Sequence, residues 1–296
     1  MPAYSFHLVN VFAETTFGGN PLCVFDDARG MDEAAMQSLA LQFNLSETTF
    51  VLPSGQADVQ VRIFTPGYEM RFAGHPTLGT AHVVRAARSL GDALTLEFKA
   101  GLVPVRAEGD RWTLVPPVDG APRVTPPAQS PAEIAALLGL TPDDLLEAPL
   151  WVDTGADQLL VPLKTVDAVR RAQPDSSRLS QWPASSLGRK TAYVFAFTGD
   201  RQDGRDVALS RYFFSKAGGG VAEDPGTGSA CANLGGWLVA RRRALPASIL
   251  VRQGEQAGRP CALYLDVDGD GAIHVGGRVI ALGKGEIMLP TTRSVE

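Results

Sequence analysis

A seven-residue pattern occurs twice in this chain, as His75-Pro76-Thr77-Leu78-Gly79-Thr80-Ala81 and as Asp224-Pro225-Gly226-Thr227-Gly228-Ser229-Ala230, at an offset of 149 in a sequence of 296 residues. Each copy sets Pro directly after an ionisable residue and then runs into small and apolar residues, the pattern of a helix with Pro in its first turn. The register extends further. Arg62-Ile63-Phe64 falls on Arg211-Tyr212-Phe213 at the same offset of 149, and Glu47-Thr48-Thr49-Phe50-Val51 faces Lys190-Thr191-Ala192-Tyr193-Val194 at an offset of 143. Matches in one order point to an internal repeat of roughly half the chain, longer than any solenoid period. Such a chain is confined to folds made of two similar halves.

The repeat also carries a chemical expectation. Backbone N–H groups at a helix start lack partners, and the dipole there is positive. Two such starts facing each other would hold an anionic substrate between them, with His75 and Asp224 at its edge. In the second copy, Gly226, Thr227, Gly228 and Ser229 are small enough to let a carboxylate approach the backbone donors closely.

Composition narrows the class. With 45% hydrophobic and 20% charged residues the chain reads as globular, long enough for about two domains of roughly 150 residues. A net charge of −5 argues against a nucleic-acid surface, which wants clustered Lys and Arg. The basic run Arg241-Arg242-Arg243 ends an expected helix, where positive charge suits the dipole. No apolar run approaches the roughly 18 residues of a membrane span, and no signal peptide is evident at the N-terminus, so a cytoplasmic protein is expected. Cys23, Cys231 and Cys261 form no CxxC pair, which predicts reduced thiols.

Alternating apolar residues predict strands over 58–64, 94–98, 102–105 and 112–115 in the first half. In the second half they predict strands over 192–197, 207–214, 249–252, 262–267 and 279–289. Helices are expected over 32–43, over 76–88 and over 227–241; the last two are apolar nearly all round and must be buried. The Pro-rich stretch 116–131 suits neither helix interior nor central strand, so the domain boundary is placed there. Ser130-Pro131-Ala132-Glu133 then reads as a capping box opening a helix that stops at Gly139. The expected organisation is an α+β protein of two pseudo-repeated domains, 1–118 and 119–282, each a curled, mainly antiparallel sheet around one helix. The segment 283–296 is expected to return to the first domain.

Glu47 lies between a helix end and a strand, among Leu45, Phe50 and Val51. A carboxyl held beside such neighbours has its charged form disfavoured, which lifts its pKa toward the range useful for moving protons. A strand-edge Glu in solvent, or a polar cap formed with Ser46, is the alternative. His75 precedes Pro76, so its backbone is expected to be extended, with its ring beside the helix start; a residue that only pins the turn fits equally. Asp224 reads as a helix cap or as a proton carrier and substrate anchor.

Other chemistries fit less well. Gly226-Thr227-Gly228 lacks the third Gly of a dinucleotide fingerprint and does not follow the first strand of a βαβ unit. The four His residues show no metal-ligand spacing, so no metal is expected. Gly228-Ser229-Ala230 does not supply a nucleophile elbow.

Four segments together resemble the phenazine-biosynthesis PhzF-like isomerases: Asn10-Val11-Phe12 through Phe17-Gly18-Gly19-Asn20-Pro21, Ser46-Glu47-Thr48, Phe72 through Ala81, and Glu223 through Ala230. The resemblance implies a diaminopimelate-epimerase-like fold, two similar domains each with a sheet around a central helix and a site between them. It implies a cofactor-independent proton shift on a small anionic metabolite, with Glu47 as acid/base. His75, Asp224 and Ser229 would orient the substrate, aided by backbone N–H groups at Gly74 and from Gly226 to Ser229. A homodimer is implied as well. The family often has Ala where Gly226 and Cys231 stand here. A binding protein without turnover is the competing reading. Racemases of the related fold use a thiol at each helix start; here those starts carry His75 and Asp224, and Cys231 corresponds to His82, which disfavours a paired-thiol epimerase.

Overall fold

The computed structural model describes residues 2–116, 120–216 and 218–289. The first half holds β1 (Ala3–Val11), β2 (Asn20–Phe25), α1 (Glu33–Phe43), β3 (Glu47–Leu52), β4 (Val59–Phe64), β5 (Glu69–Met70), α2 (Gly74–Arg88), β6 (Ala93–Phe98), β7 (Gly101–Glu108) and β8 (Arg111–Leu114). The second holds β9 (Arg123–Thr125), α3 (Pro131–Leu137), β10 (Leu150–Asp153), β11 (Asp157–Pro162), α4 (Val166–Arg171), β12 (Thr191–Gln202), β13 (Arg205–Ser215), β14 (Val221–Asp224), α5 (Gly228–Ala240), β15 (Ala247–Gln253), β16 (Cys261–Val267) and β17 (Ile273–Met288). The expected division between residues 118 and 119 lies outside the described residues.

Strand pairing repeats the duplication seen in the sequence. In the first half β2 runs parallel to β3, β3 antiparallel to β4, β4 antiparallel to the short β5 and parallel to β6, and β6 antiparallel to β7. In the second half β11, β12, β13, β14, β15 and β16 repeat that series of pairings. The two chemical motifs therefore occupy the same place, between the short strand and the central helix. The repeated Arg-x-Phe sequence lies on β4 and β13. Arg62 ion-pairs with Glu69 at 2.6 Å and lies 5.0 Å from the centre of the Phe64 ring; Arg211 pairs with Glu223 at 2.7 Å and lies 4.6 Å from the Phe213 ring.

The last strand binds the halves together. β17 pairs with β16 through Ile273–Gly276, with β8 through Val275–Arg278, and with β1 from Val279 to Met288. Its junction with β1 closes a ring, β1–β2–β3–β4–β6–β7–β8–β17, around α2. Within that ring the alternation is regular. On β6 and β7, Leu94, Leu96, Phe98, Val103, Val105 and Ala107 point inward and join the core shared with α2 and α5. Both helices are buried nearly all round, as their composition requires.

α1 covers the outer side of the first sheet. Asp32 accepts a hydrogen bond from the Ala35 N–H at 2.7 Å, so it caps the helix rather than starting it. Met36 and Leu39 pack on Cys23, Phe25, Phe50 and Phe64. β1 and β2 are buried on both faces, with Val9, Val11, Leu22 and Val24 turned to the α2 core and Cys23 and Phe25 to the α1 side. The alternation test misses both strands for that reason. Ser130 and Glu133 form the expected capping box at the start of α3.

Candidate active site

The two central helices meet at their N-termini. A Cβ built on Gly74, the first residue of α2, would lie 3.5 Å from Gly228 Cα, and one built on Gly228, the first residue of α5, would lie 3.6 Å from Gly74 Cα. The two glycines thus face each other where the positive helix ends meet, leaving room for no more than a methyl group between the backbones.

The two copies of the motif are not in the same helical register. Gly74 and His75 already lie inside α2, so His75 is helical, contrary to the extended backbone expected of a residue before Pro. Packing outweighs that local bias: His75 is 6% exposed, walled in at the helix junction. In the second copy Pro225 precedes the N-cap, Thr227, and α5 begins at Gly228. Pro225 is therefore outside the first turn in which it was expected. The cause lies in Asp224, which ends β14 and stays in the sheet opposite Tyr212.

Glu47 opens β3 beside Leu22 of β2, with its side chain 15% exposed. Its Oε2 lies 3.4 Å from Nε2 of His75, without the alignment of a hydrogen bond. Neither atom has a hydrogen-bond partner among the described residues. Burial, reinforced by the negative charge of Asp224, lifts the Glu47 carboxyl to about 8, against the opposing charge of Arg189. Burial depresses the His75 imidazole to about 3, partly offset by hydrogen bonding of the ring to the Pro21 carbonyl. A neutral imidazole thus faces Glu47 through Nε2.

Asp224 is held by donors from both halves. Asn20 Nδ2 donates to Asp224 Oδ1 and to the Gly226 carbonyl, each at 3.0 Å. The carbonyl can only accept, which fixes the direction of the Asn20 amide. The Thr227 hydroxyl donates to Asp224 Oδ2, and Gln253 Nε2 donates to the Asp224 carbonyl at 2.9 Å. Burial raises the Asp224 carboxyl to about 6, opposed by the bonds from Thr227 and Asn20. Asp224 is consequently no helix cap, and the Thr227 hydroxyl is engaged within the site.

Ser229 stands on the first turn of α5 and accepts a hydrogen bond from Gln158 Nε2 at 2.8 Å. The first turns of α2 and α5 supply the unpaired N–H groups that the sequence predicts, except that Pro76 has none. Gly226 lies against Cys261: a Cβ at position 226 would come 2.8 Å from Cys261 Sγ. This thiol fills the space that an alanine at position 226 would need. All three cysteines are free and buried.

The geometry brings together Glu47, His75, Asp224 and both helix starts. Asn20, Gln158, Asn233 and Gln253 hydrogen-bond to these residues or to one another, and sequence reasoning gave none of them a role. A signal existed: each is a polar side chain within or beside an apolar run, and each is at most 5% exposed. Among the described residues no group of three or more His, Cys, Asp or Glu is placed to hold a metal ion, and no helix is long and apolar enough to cross a membrane.

The pattern of the Phenazine biosynthesis-like protein family matches residues 9–285. The chain belongs to this family. It is 40% identical over 292 residues to an uncharacterized isomerase of Pasteurella multocida, a match covering 97% of this chain and 95% of the relative. It is 35% identical over 291 residues to the trans-2,3-dihydro-3-hydroxyanthranilate isomerase of Pseudomonas aeruginosa, covering 95% of this chain and 98% of the relative. The crystal structure of a PhzF-family phenazine biosynthesis protein from Bacillus anthracis superposes with a TM-score of 0.82 at 26% identity, covering 98% of this chain and 100% of that one. The family is one of isomerases, and the chain is an isomerase of the PhzF-like group with its mixed α+β, barrel-like fold.

Proposed function

We propose that this isomerase moves a proton within a small anionic, cyclic or amino-acid-like metabolite, with Glu47 as the acid/base and no cofactor. The observation that carries the reading is the placement of the Glu47 carboxyl 3.4 Å from a neutral imidazole where two helix N-termini meet. A carboxyl lifted to about 8 exchanges protons readily near neutrality, because both of its forms are populated there.

The step balances within the substrate. Glu47 carboxylate takes a proton from an activated C–H; the electron pair left behind spreads into the substrate's conjugated system. The N–H groups of the two helix starts stabilise the charge that develops. The same carboxyl then returns the proton to a different carbon. Asp224, whose lone pairs face donors, would hold an ammonium or hydroxyl of the substrate, and Ser229 an oxygen. His75 accepts from the protonated carboxyl and holds it between the two carbons.

The compound named for the relatives, trans-2,3-dihydro-3-hydroxyanthranilate, carries an amine, a hydroxyl and a carboxylate on one ring and is the first substrate to test. In deuterated water the wild-type chain should convert it with label appearing at the new C–H position. Glu47→Gln should abolish this while binding stays measurable. Full exchange in the variant would refute the role of Glu47; binding without exchange by the wild type would leave a metabolite-binding protein in its place.

A further inference from the structure

A chain of buried amides runs from the backbone of the β10–β11 turn to Ser229. The Thr154 N–H and hydroxyl both donate to Asn233 Oδ1, at 2.9 and 2.7 Å. Asn233 Nδ2 donates to the Ala156 carbonyl at 2.8 Å and to Gln158 Oε1 at 2.7 Å. Gln158 Nε2 then donates to Ser229 Oγ at 2.8 Å. Thr154, Gln158 and Asn233 are 6%, 5% and 0% exposed, so water does not reorient them.

The polarity of this chain follows from its backbone end. A peptide N–H can only donate and a peptide carbonyl can only accept. The Thr154 N–H therefore requires Oδ1 of Asn233 on its side, and the Ala156 carbonyl requires Nδ2 on the other. Asn233 must then present a hydrogen to Gln158, which must answer with its oxygen. Its nitrogen is left facing Ser229. Reversing either amide would set two donors or two acceptors against each other in a dry interior, a costly arrangement. Ser229 Oγ accepts from Gln158 and directs its own proton elsewhere.

We propose that Gln158 and Asn233 are positioning residues that fix Ser229 as a hydrogen-bond donor to the ligand, which selects a carboxylate or other acceptor oxygen at this end of the site. This rests on the reading of Ser229 as a substrate-binding residue. Asp224, at the other motif, is surrounded by donors and offers acceptors. The two ends thus present opposite polarity, the Ser229 proton favouring an acceptor oxygen of the ligand.

Two measurements test the relay. Neutron diffraction from the deuterated protein shows hydrogen positions without any ligand. The expected map has a Gln158 amide deuteron on the line to Ser229 Oγ and the Ser229 deuteron pointing away from Gln158. A Ser229 deuteron aimed at Gln158 overturns the proposal. The second is a double-mutant cycle on binding of trans-2,3-dihydro-3-hydroxyanthranilate by calorimetry. Asn233→Asp cannot donate to Gln158, so the Gln158 amide turns over and draws in the Ser229 proton. Affinity should fall about tenfold or more, the size expected for one hydrogen bond to a charged group. In a Ser229→Ala background Asn233→Asp should cost nothing further. An equal loss in both backgrounds, or none in either, overturns the relay. Should the wild-type chain not bind the compound, the functional reading fails on its own, and the neutron map still decides the direction of the Ser229 hydroxyl.

Discussion

Arg62 and Arg211 are counterparts across the duplication, each paired with a glutamate on the neighbouring short strand and each lying over the phenylalanine two residues on. They differ in what else serves the glutamate. Glu69 is also contacted by Lys99, whereas among the described residues Glu223 has Arg211 alone, and both side chains of that pair are near 14% exposed, at 13% and 14%. Arg211 further donates to the carbonyls of Arg170, in the last turn of α4, and of Ala172, just past its end, at 3.1 and 2.6 Å.

Arg211→Ala should therefore cost more than Arg62→Ala. Removing one partner of a buried pair leaves an uncompensated charge, about 3–5 kcal/mol; at Glu69 the lysine remains, and about 1–2 kcal/mol is expected. Urea denaturation of the two variants ranks them. Equal losses would show that the second cation at Glu69 carries no weight.

The activity should depend on pH in two stages. Glu47 must be ionised to take a proton, and Asp224 must be ionised to hold a donor group. With Asp224 raised to about 6 and Glu47 to about 8, log kcat/KM should climb with slope 2 at low pH, slope 1 between those values, and level off above the upper one. Solvent-deuterium incorporation measures the profile. Asp224→Asn should remove the lower break and move the upper one down, because the Asp224 charge helps to raise Glu47; a profile flat across pH 6 to 8 would remove Glu47 as the base.

Glu47 should also cost the fold stability in alkali. A carboxyl whose folded pKa is raised contributes most below its ordinary value of 4.5, and that contribution is lost as pH rises through about 8. Glu47→Gln is spared this loss. Its melting temperature should match the wild type near pH 4 and exceed it near pH 9, by an amount on the order of 1–3 kcal/mol in stability. A pH-independent difference between the two proteins would show that the carboxylate is well solvated.

Gly226→Ala should clash with Cys261, whose sulfur would lie 2.8 Å from the new methyl group. Overpacking of this kind costs about 1–3 kcal/mol. Cys261→Ala should restore most of the stability of Gly226→Ala, since it clears the occupied space. Thermal melts of the two single variants and the double variant give the coupling; additive losses would mean that the helix start shifts instead.

Much of this architecture was legible because the repeat left its trace in residues that each half needs. His75 and Asp224, Arg62 and Arg211, and the apolar helices behind the motifs could all be matched by position alone. The strands that pair one face with water and one with a core, such as β6 and β7, announced themselves by alternation. β1 and β2 did not, because apolar side chains line both of their faces. The helix register of the second motif was also hidden. Whether Pro225 enters the first turn depends on Asp224 staying in the sheet, a tertiary contact with no local signature. Asn233 could be noticed as one amide in an apolar helix, but its partners Thr154 and Gln158 lie some 75 residues away.

The continuous run of β17 has an outcome for synthesis. Until a ribosome has passed codon 279, the β1 edge that this strand covers stands unpaired, and an open edge is a template for pairing with another chain. The first-made portion of the polypeptide is thus left waiting on the last, and a gene cut between the two repeats would yield an N-terminal fragment with a seam in its wall.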